Sequence, residues 1–256
     1  YQSKVHMNMN NDKGHAKDFT ESNFKKIITK LKKTHEFIFY REINTVRKFV
    51  LWRHDCDYSI NKAYKLAKIE NKLNVKGTYF LNPHCRFYNI FEIEQTKLIK
   101  KIIQLGHDIG LHFDAEFYDI KNVRELEQKI NLEKKILENF FDHKITVFSF
   151  HNPDKFTLGL QKQKYGGLIN CYSKKLKESV SYCSDSNGYW RHSRLTDFIE
   201  EENEKNLHIL THPGWWQTKV MQPRDRIIRA IEGRKQKNIK LYDQELKKFG
   251  RKNISS

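Results

Sequence analysis

Short apolar runs recur along the chain, and most are separated by stretches with helical spacing. FVLWRHD (49–55), VKGTYFL (75–81), DIGLHF (108–113), ITVFSFH (145–151), GLINCYS (167–173), SYCSDS (181–186) and LHILTHP (207–213) read as seven strands. Ser59 can cap a helix that carries Ala63, Leu66, Ala67 and Leu73 on one side. Phe91, Leu98, Ile102 and Ile103 mark a helix ending near Gly106, and Leu126, Ile130, Ile136 and Leu137 mark a longer one among alternating charges. Residues 194–205 and about 222–248 also read as helical.

Strands that are continuously apolar are buried on both faces, and strands alternating with helices imply a parallel sheet with right-handed crossovers. An open doubly wound sheet fits that pattern as well as a barrel does. Polar residues sit at the same end of nearly every strand, however, and in a β/α barrel that C-terminal rim holds the active site. The expectation is a deformed (β/α) barrel of seven parallel strands, one domain spanning 19–250. Residues 1–18 are polar and without periodicity, so a loose disordered arm is expected there, and the terminal RKNISS should fray. No linker and no repeat of 20–50 residues interrupts the chain.

Composition narrows this picture. With 17 Phe, 12 Tyr and 4 Trp, the chain can build a core despite being 31% charged. No apolar run approaches the ~18 residues of a membrane span, and no signal-peptide core is visible, so a cytoplasmic location is expected for a chain that begins with Tyr1. Cys56, Cys85, Cys171 and Cys183 form no C-x-x-C and read as free thiols. The formal charge of +17 favours polyanions in general, but the lysines are scattered and no recognition motif accompanies them, so no specific nucleic acid partner is expected.

The chemistry lies at the strand ends. Asp55 and Asp57 close the first strand in R-H-D-C-D, and their i, i+2 spacing puts both carboxylates on one face. Such a pair can hold a cation or divide into one ligand and one base; the plainer reading is a cap with a salt bridge to Arg53. His112 ends the third strand with Asp114 two residues on, a nitrogen–oxygen donor set suited to zinc and similar ions. His107, ahead of that strand, suits a structural hydrogen bond. His151 ends the fourth strand, where Asn152 and Pro153 break the chain and expose the imidazole at the rim. Asp185 sits in a turn, either as a hydrogen-bonded turn aspartate or beside Trp190 in a sugar pocket. His212 ends the last strand beside Trp215 and Trp216, where a histidine suits a general acid in a water-poor cleft. The tryptophans read either as sugar-stacking walls or as core. Cys56 lies between two carboxylates, which raise its pKa and make it a poor nucleophile.

Together these motifs resemble the polysaccharide deacetylases of carbohydrate esterase family 4, from about residue 49 to residue 216. R-H-D-C-D at 53–57 is similar to the family's first motif, which implies Asp55 as base and Asp57 as metal ligand. G-H-D-I-G-L-H at 106–112 is the most specific match and implies His112 as a ligand; I-L-T-H-P at 209–213 resembles the last motif and implies His212 as the acid. S-F-H-N-P at 149–153 stands where the third motif has arginine, and S-D-S-N-G-Y-W at 184–190 takes the place of the fourth. The family's second metal histidine, four residues after the first, is Glu116 here. His151 restores an Asp-His-His set from another strand, with Asp114 and Glu116 as rivals for the third place. The resemblance implies metal-assisted removal of N-acetyl groups from an amino sugar, with Asp185, Trp190 and Trp215 against the substrate. Zinc is the first choice of metal, ahead of cobalt, nickel, manganese or iron. The competing readings are a barrel metal hydrolase of a small amide, and a catalytically altered sugar-binding or assembly protein of surface-polysaccharide biosynthesis.

Overall fold

The computed structural model describes residues 15–43, 48–203 and 205–254. Its strands are β1 (Glu36–Ile38), β2 (Phe49–Asp55), β3 (Thr78–Leu81), β4 (Asp108–Phe113), β5 (Val147–Phe150), β6 (Lys164–Tyr165), β7 (Leu168–Asn170), β8 (Ser181–Ser186), β9 (Tyr189–Trp190) and β10 (Leu207–Thr211). The helices are α1 (Glu21–Leu31), α2 (Ile60–Lys72), α3 (Ile93–Gln104), α4 (Val123–Phe141), α5 (Lys155–Leu158), α6 (Lys174–Ser179), α7 (Leu195–Glu201) and α8 (Pro223–Lys248). Each of the seven expected runs contains a strand. The ends are trimmed where turn residues take over, as at Asn152, whose left-handed backbone (φ 43°) stops the chain just beyond β5. Short β1, β6 and β9 carry no alternation long enough to be read from sequence.

The strands form one mostly parallel sheet in the order β6-β7-β5-β4-β3-β2-β10-β8-β9, with β1 beside the start of β2. The antiparallel exceptions are the β6–β7 and β8–β9 hairpins. Flat, the sheet would hold β2 and β7 ~19 Å apart, four spacings of ~4.8 Å. Yet the Arg53 guanidinium of β2 lies 5.6 Å from the ring of Tyr172, two residues past β7. The sheet is therefore strongly curled, as a barrel requires. Closure is what differs from the expectation: among the described residues no hydrogen-bonded pairing joins β7 to β8, and α6 connects the two.

Alternation along each strand separates two environments. Val50 and Trp52 face the helices, whereas Phe49, Leu51, Arg53 and Asp55 point into the curl. Gly110 on β4 is needed for this packing, because a Cβ there would lie 2.6 Å from the Phe80 ring. The segment expected to be loose is tied down over its described part. Ala16–Asp18 forms a buried 3-10 turn, and Asp18 accepts hydrogen bonds from Trp190 Nε1 at 3.1 Å and Arg194 Nε at 2.7 Å. Residues 1–14 lie outside the described residues.

The inner face is unusually polar. His208 of β10 is 3% exposed, with Nε2 2.8 Å from the Tyr40 hydroxyl. Burial and the nearby Arg53 charge push its pKa down to about 3. The folded state thus refuses a proton that the unfolded chain accepts near pH 6.5, so this contribution to stability is complete above ~6.5 and is lost as pH falls towards 3. Between pH 7 and pH 5 it should amount to about 2 kcal/mol. His208→Asn should flatten the urea-melt stability difference between those pH values by about that much. Equal pH slopes in variant and parent would contradict the assignment.

Candidate metal and acid–base site

Three strands deliver the site to the C-terminal end of the curl. The inner-face register of β2 carries Arg53 and Asp55 and continues to Asp57 in the turn that follows. His112 comes from β4 and His151 from the residue after β5. His112 Nε2 lies 3.1 Å from Asp57 Oδ1, His151 Nδ1 lies 3.6 Å from the same oxygen, and the two ring nitrogens are 3.2 Å apart. Asp57, His112 and His151 thus meet as one group of donor atoms. Asp114 and Glu116 line the cavity above but stay outside that group; Asp114 Oδ1 is occupied by the Phe117 backbone N–H.

The donor set fits a divalent cation. Asp57 Oδ1 is buried yet makes no hydrogen bond of acceptable geometry. Ligands ~2.0–2.1 Å from a tetrahedral zinc stand roughly 3.3 Å from one another, close to the three separations found. The ring orientations suit the role. Nδ1 of His112 lies 2.7 Å from Ser149 Oγ, and in the tautomer that donates to that hydroxyl Nε2 would keep its lone pair toward Asp57. Ser149 escaped the sequence reading because only the pairing of β4 with β5 sets it opposite His112.

Asp55 lies beside this group, with Oδ2 3.6 Å from His112 Nε2. Arg53 Nε and Nη2 donate to its two oxygens at 2.8 and 2.7 Å, a bidentate pair with both residues buried. Burial pushes Asp55 up, but Arg53 and His112 outweigh it and hold the carboxyl below its usual range. Asp57 is likewise pushed up by burial and is drawn well below the ordinary range by His112, His151 and His212. His151 is raised, burial opposing and the Asp57 carboxylate prevailing.

His212 Nε2 stands 3.5 Å from the other Asp57 oxygen, Oδ2. Its Nδ1 donates to Asp185 Oδ1, while the other Asp185 oxygen accepts from the His212 backbone N–H at 3.0 Å and Thr211 Oγ1 at 2.8 Å. Burial lowers the pKa of His212, but Asp185 more than offsets this and pushes it up to about 9. Asp185 is therefore a buried partner that orients His212, and the substrate contact expected of it is corrected.

Solved structures similar to this chain include members of carbohydrate esterase family 4. One is a pseudoenzyme of that family from Bacillus anthracis, 13% identical, covering 73% of this chain and 62% of that one, with a TM-score of 0.41. Another is a family 4 carbohydrate esterase from Bacillus anthracis, 14% identical over 82% of this chain and 85% of that one, TM-score 0.43. A chitin deacetylase from the fungal pathogen Colletotrichum lindemuthianum is 13% identical over 72% and 81%, TM-score 0.43. The chain spans less than two thirds of the first of these. No family model and no curated protein matches the chain.

The tryptophans expected against the substrate are core. Trp190 is 4% exposed and stacked on Phe19, and Trp215 is 3% exposed and packed against Tyr58. Trp216 is fully buried against Phe24. Their large apolar surfaces are taken up beneath α1 and the Phe19 segment, which sequence alone does not place there. The cavity beside Asp57 and His151, about 310 Å³, is lined instead by Tyr58, Phe87, Asn82, His84 and Arg86. Among the described residues, no helix is long and apolar enough to cross a membrane.

Proposed function

We propose that the chain is a metal-dependent hydrolase that removes the N-acetyl group from an amino sugar. The observation that carries this reading is the convergence of Asp57, His112 and His151, with the Asp55 carboxylate 3.6 Å from His112 and the His212 imidazole 3.5 Å from Asp57. Asp57, His112 and His151 would hold the cation, zinc by preference for two nitrogens and one oxygen. Bound there, a divalent ion polarises a carbonyl oxygen and lowers the pKa of water.

The chain's own groups supply the proton transfers. Asp55 is kept as a carboxylate by Arg53 and takes the proton of the attacking water. His212 carries its proton at neutral pH and gives it to the departing amine nitrogen, while Asp185 fixes its ring. Tyr58 and Phe87 offer aromatic faces to a sugar in the cavity.

The test is acetate release from N-acetylated oligosaccharides and nucleotide-linked sugars by zinc-loaded protein, with metal content measured in parallel. Wild-type protein should bind about one zinc per chain and release acetate. Asp57→Ala and His112→Ala should each lose the metal and the activity together, with the melting transition retained. A wild type that takes up no zinc, or variants that keep it, would remove the basis of the reading.

A further inference from the structure

A second cavity, about 380 Å³, adjoins the first and shares Tyr58 and Phe87 with it as a common wall. It lies between the start of α2 and one face of α8. Its lining includes Lys62, Lys65, Arg226, Arg229, Arg234 and Lys237 and no aspartate or glutamate. Four of these cations reach carboxylates at its edge: Lys62 and Lys65 share Glu21, and Arg234 and Lys237 share Glu92. Arg226 and Arg229 have no carboxylate partner among the described residues. Arg226 is 2% exposed and donates to the backbone carbonyls of Met221, Gly188 and Ala16, and Arg229 donates to Gln217 Oε1.

The nearby Asp185 carboxylate offsets part of the cost of burying the Arg226 charge, but its oxygens are bonded to His212 and Thr211, so an anion joining the guanidinium directly would offset more. Burial, together with the neighbouring Arg229 and Lys65 charges, holds the Lys62 ammonium below its ordinary range despite Glu21. Ser59, Ile60 and Asn61 open α2 on the same cavity, so the positive end of a 13-residue helix adds to the field, although Ser59 Oγ already caps the Lys62 N–H at 3.3 Å. The charge is gathered in a concave space of small-ligand size rather than spread along a surface track.

We propose that this cleft holds the phosphate or diphosphate of the sugar substrate, so that the protein acts on a phosphate-linked N-acetylated sugar rather than on a neutral polysaccharide. The proposal rests on the hydrolase reading of the adjoining site. Reach supports the link: Ile60 is three residue steps along from Asp57, at most ~11 Å of chain. A ligand anchored in the cleft can therefore set its sugar in the cavity beside Asp57. The phosphate takes no part in the chemistry; water cleaves the amide to acetate and amine, and the anion only positions the sugar.

Titration calorimetry of the zinc-loaded chain with inorganic pyrophosphate tests the cleft apart from turnover. Wild type should bind, Lys62→Ala/Arg229→Ala should bind at least tenfold more weakly with its metal content and melting transition kept, and Asp57→Asn should bind as wild type does. No binding by wild type, undiminished binding by the double variant, or loss in Asp57→Asn alone would overturn the proposal, the last because the anion would then sit on the metal. Two further arms name the source of the phosphate: a nucleotide-linked N-acetylated sugar in solution, and a polyprenyl-diphosphate-linked one in phosphatidylcholine vesicles compared with vesicles lacking it. A tenfold loss in the double variant in either arm supports the cleft and identifies the carrier. Equal binding to both kinds of vesicle with no nucleotide-sugar binding, or capture of oligonucleotides in place of pyrophosphate, would overturn it. Acetate release from neutral oligosaccharides without pyrophosphate binding sinks the inference and spares the hydrolase reading. Pyrophosphate binding with no acetate release from any substrate sinks that reading, and the substrate assignment with it.

Discussion

Asp55→Asn is expected to lower kcat for acetate release by about 10²–10⁴-fold, the usual contribution of a general base, while zinc content stays at the wild-type level. Metal should persist because Asp57, His112 and His151 are untouched. The substitution also has a structural cost, since it strips the buried Arg53 of its counter-charge. Breaking a buried pair from one side costs ~3–5 kcal/mol, and asparagine, which still accepts a hydrogen bond, should fall at the low end. The melting temperature should therefore drop along with the rate. Arg53→Met/Asp55→Asn separates the two effects: with both charges gone, stability should largely return and turnover should not. A double variant that regains turnover together with stability would reduce Asp55 to a structural partner.

His212→Ala should cost about 10²–10⁴-fold in kcat with KM and metal content little changed, because the histidine acts on the departing amine and not on binding. An acetyl ester whose leaving group is a nitrophenolate needs no proton to depart. Its hydrolysis should therefore survive the substitution far better than amide hydrolysis does. Asp185→Asn should move the pH profile as well as the rate. A general acid works below its pKa, so activity falls as pH rises through that value. Since Asp185 is the main cause of the rise of His212 to about 9, its loss should shift the alkaline fall of kcat to lower pH. Amide and ester hydrolysis falling equally in His212→Ala would argue that the residue only shapes the site.

The sequence by itself determined the strands and their polar ends. A strand buried on both faces must be almost continuously apolar, so most of the seven runs could be located without knowing what packs on them, the polar SYCSDS being the exception. The two-residue period then placed Asp55 and Asp57 on one face, and the glycine-flanked segment ending in His112 and the Pro-Gly turn after His212 marked the rim. Only the tertiary structure decided which of those residues meet. Choosing His151 over Asp114 and Glu116 depends on where neighbouring strands end relative to one another, a register that no local pattern encodes. Partnership works the same way: Asp185 belongs to His212 and Ser149 to His112 because β8 lies beside β10 and β4 beside β5. The tryptophans show the limit in the other direction. An indole gains from burial whether it walls a pocket or fills a core, so Trp190 and Trp215 carry no local sign of which they do. The basic cleft is the plainest case, since Lys62 and Arg229 become neighbours only when α8 folds back across the start of α2. Patterning reports the environment each residue needs, whereas a site also depends on distances between residues far apart in the chain, and those exist only once the sheet has curled.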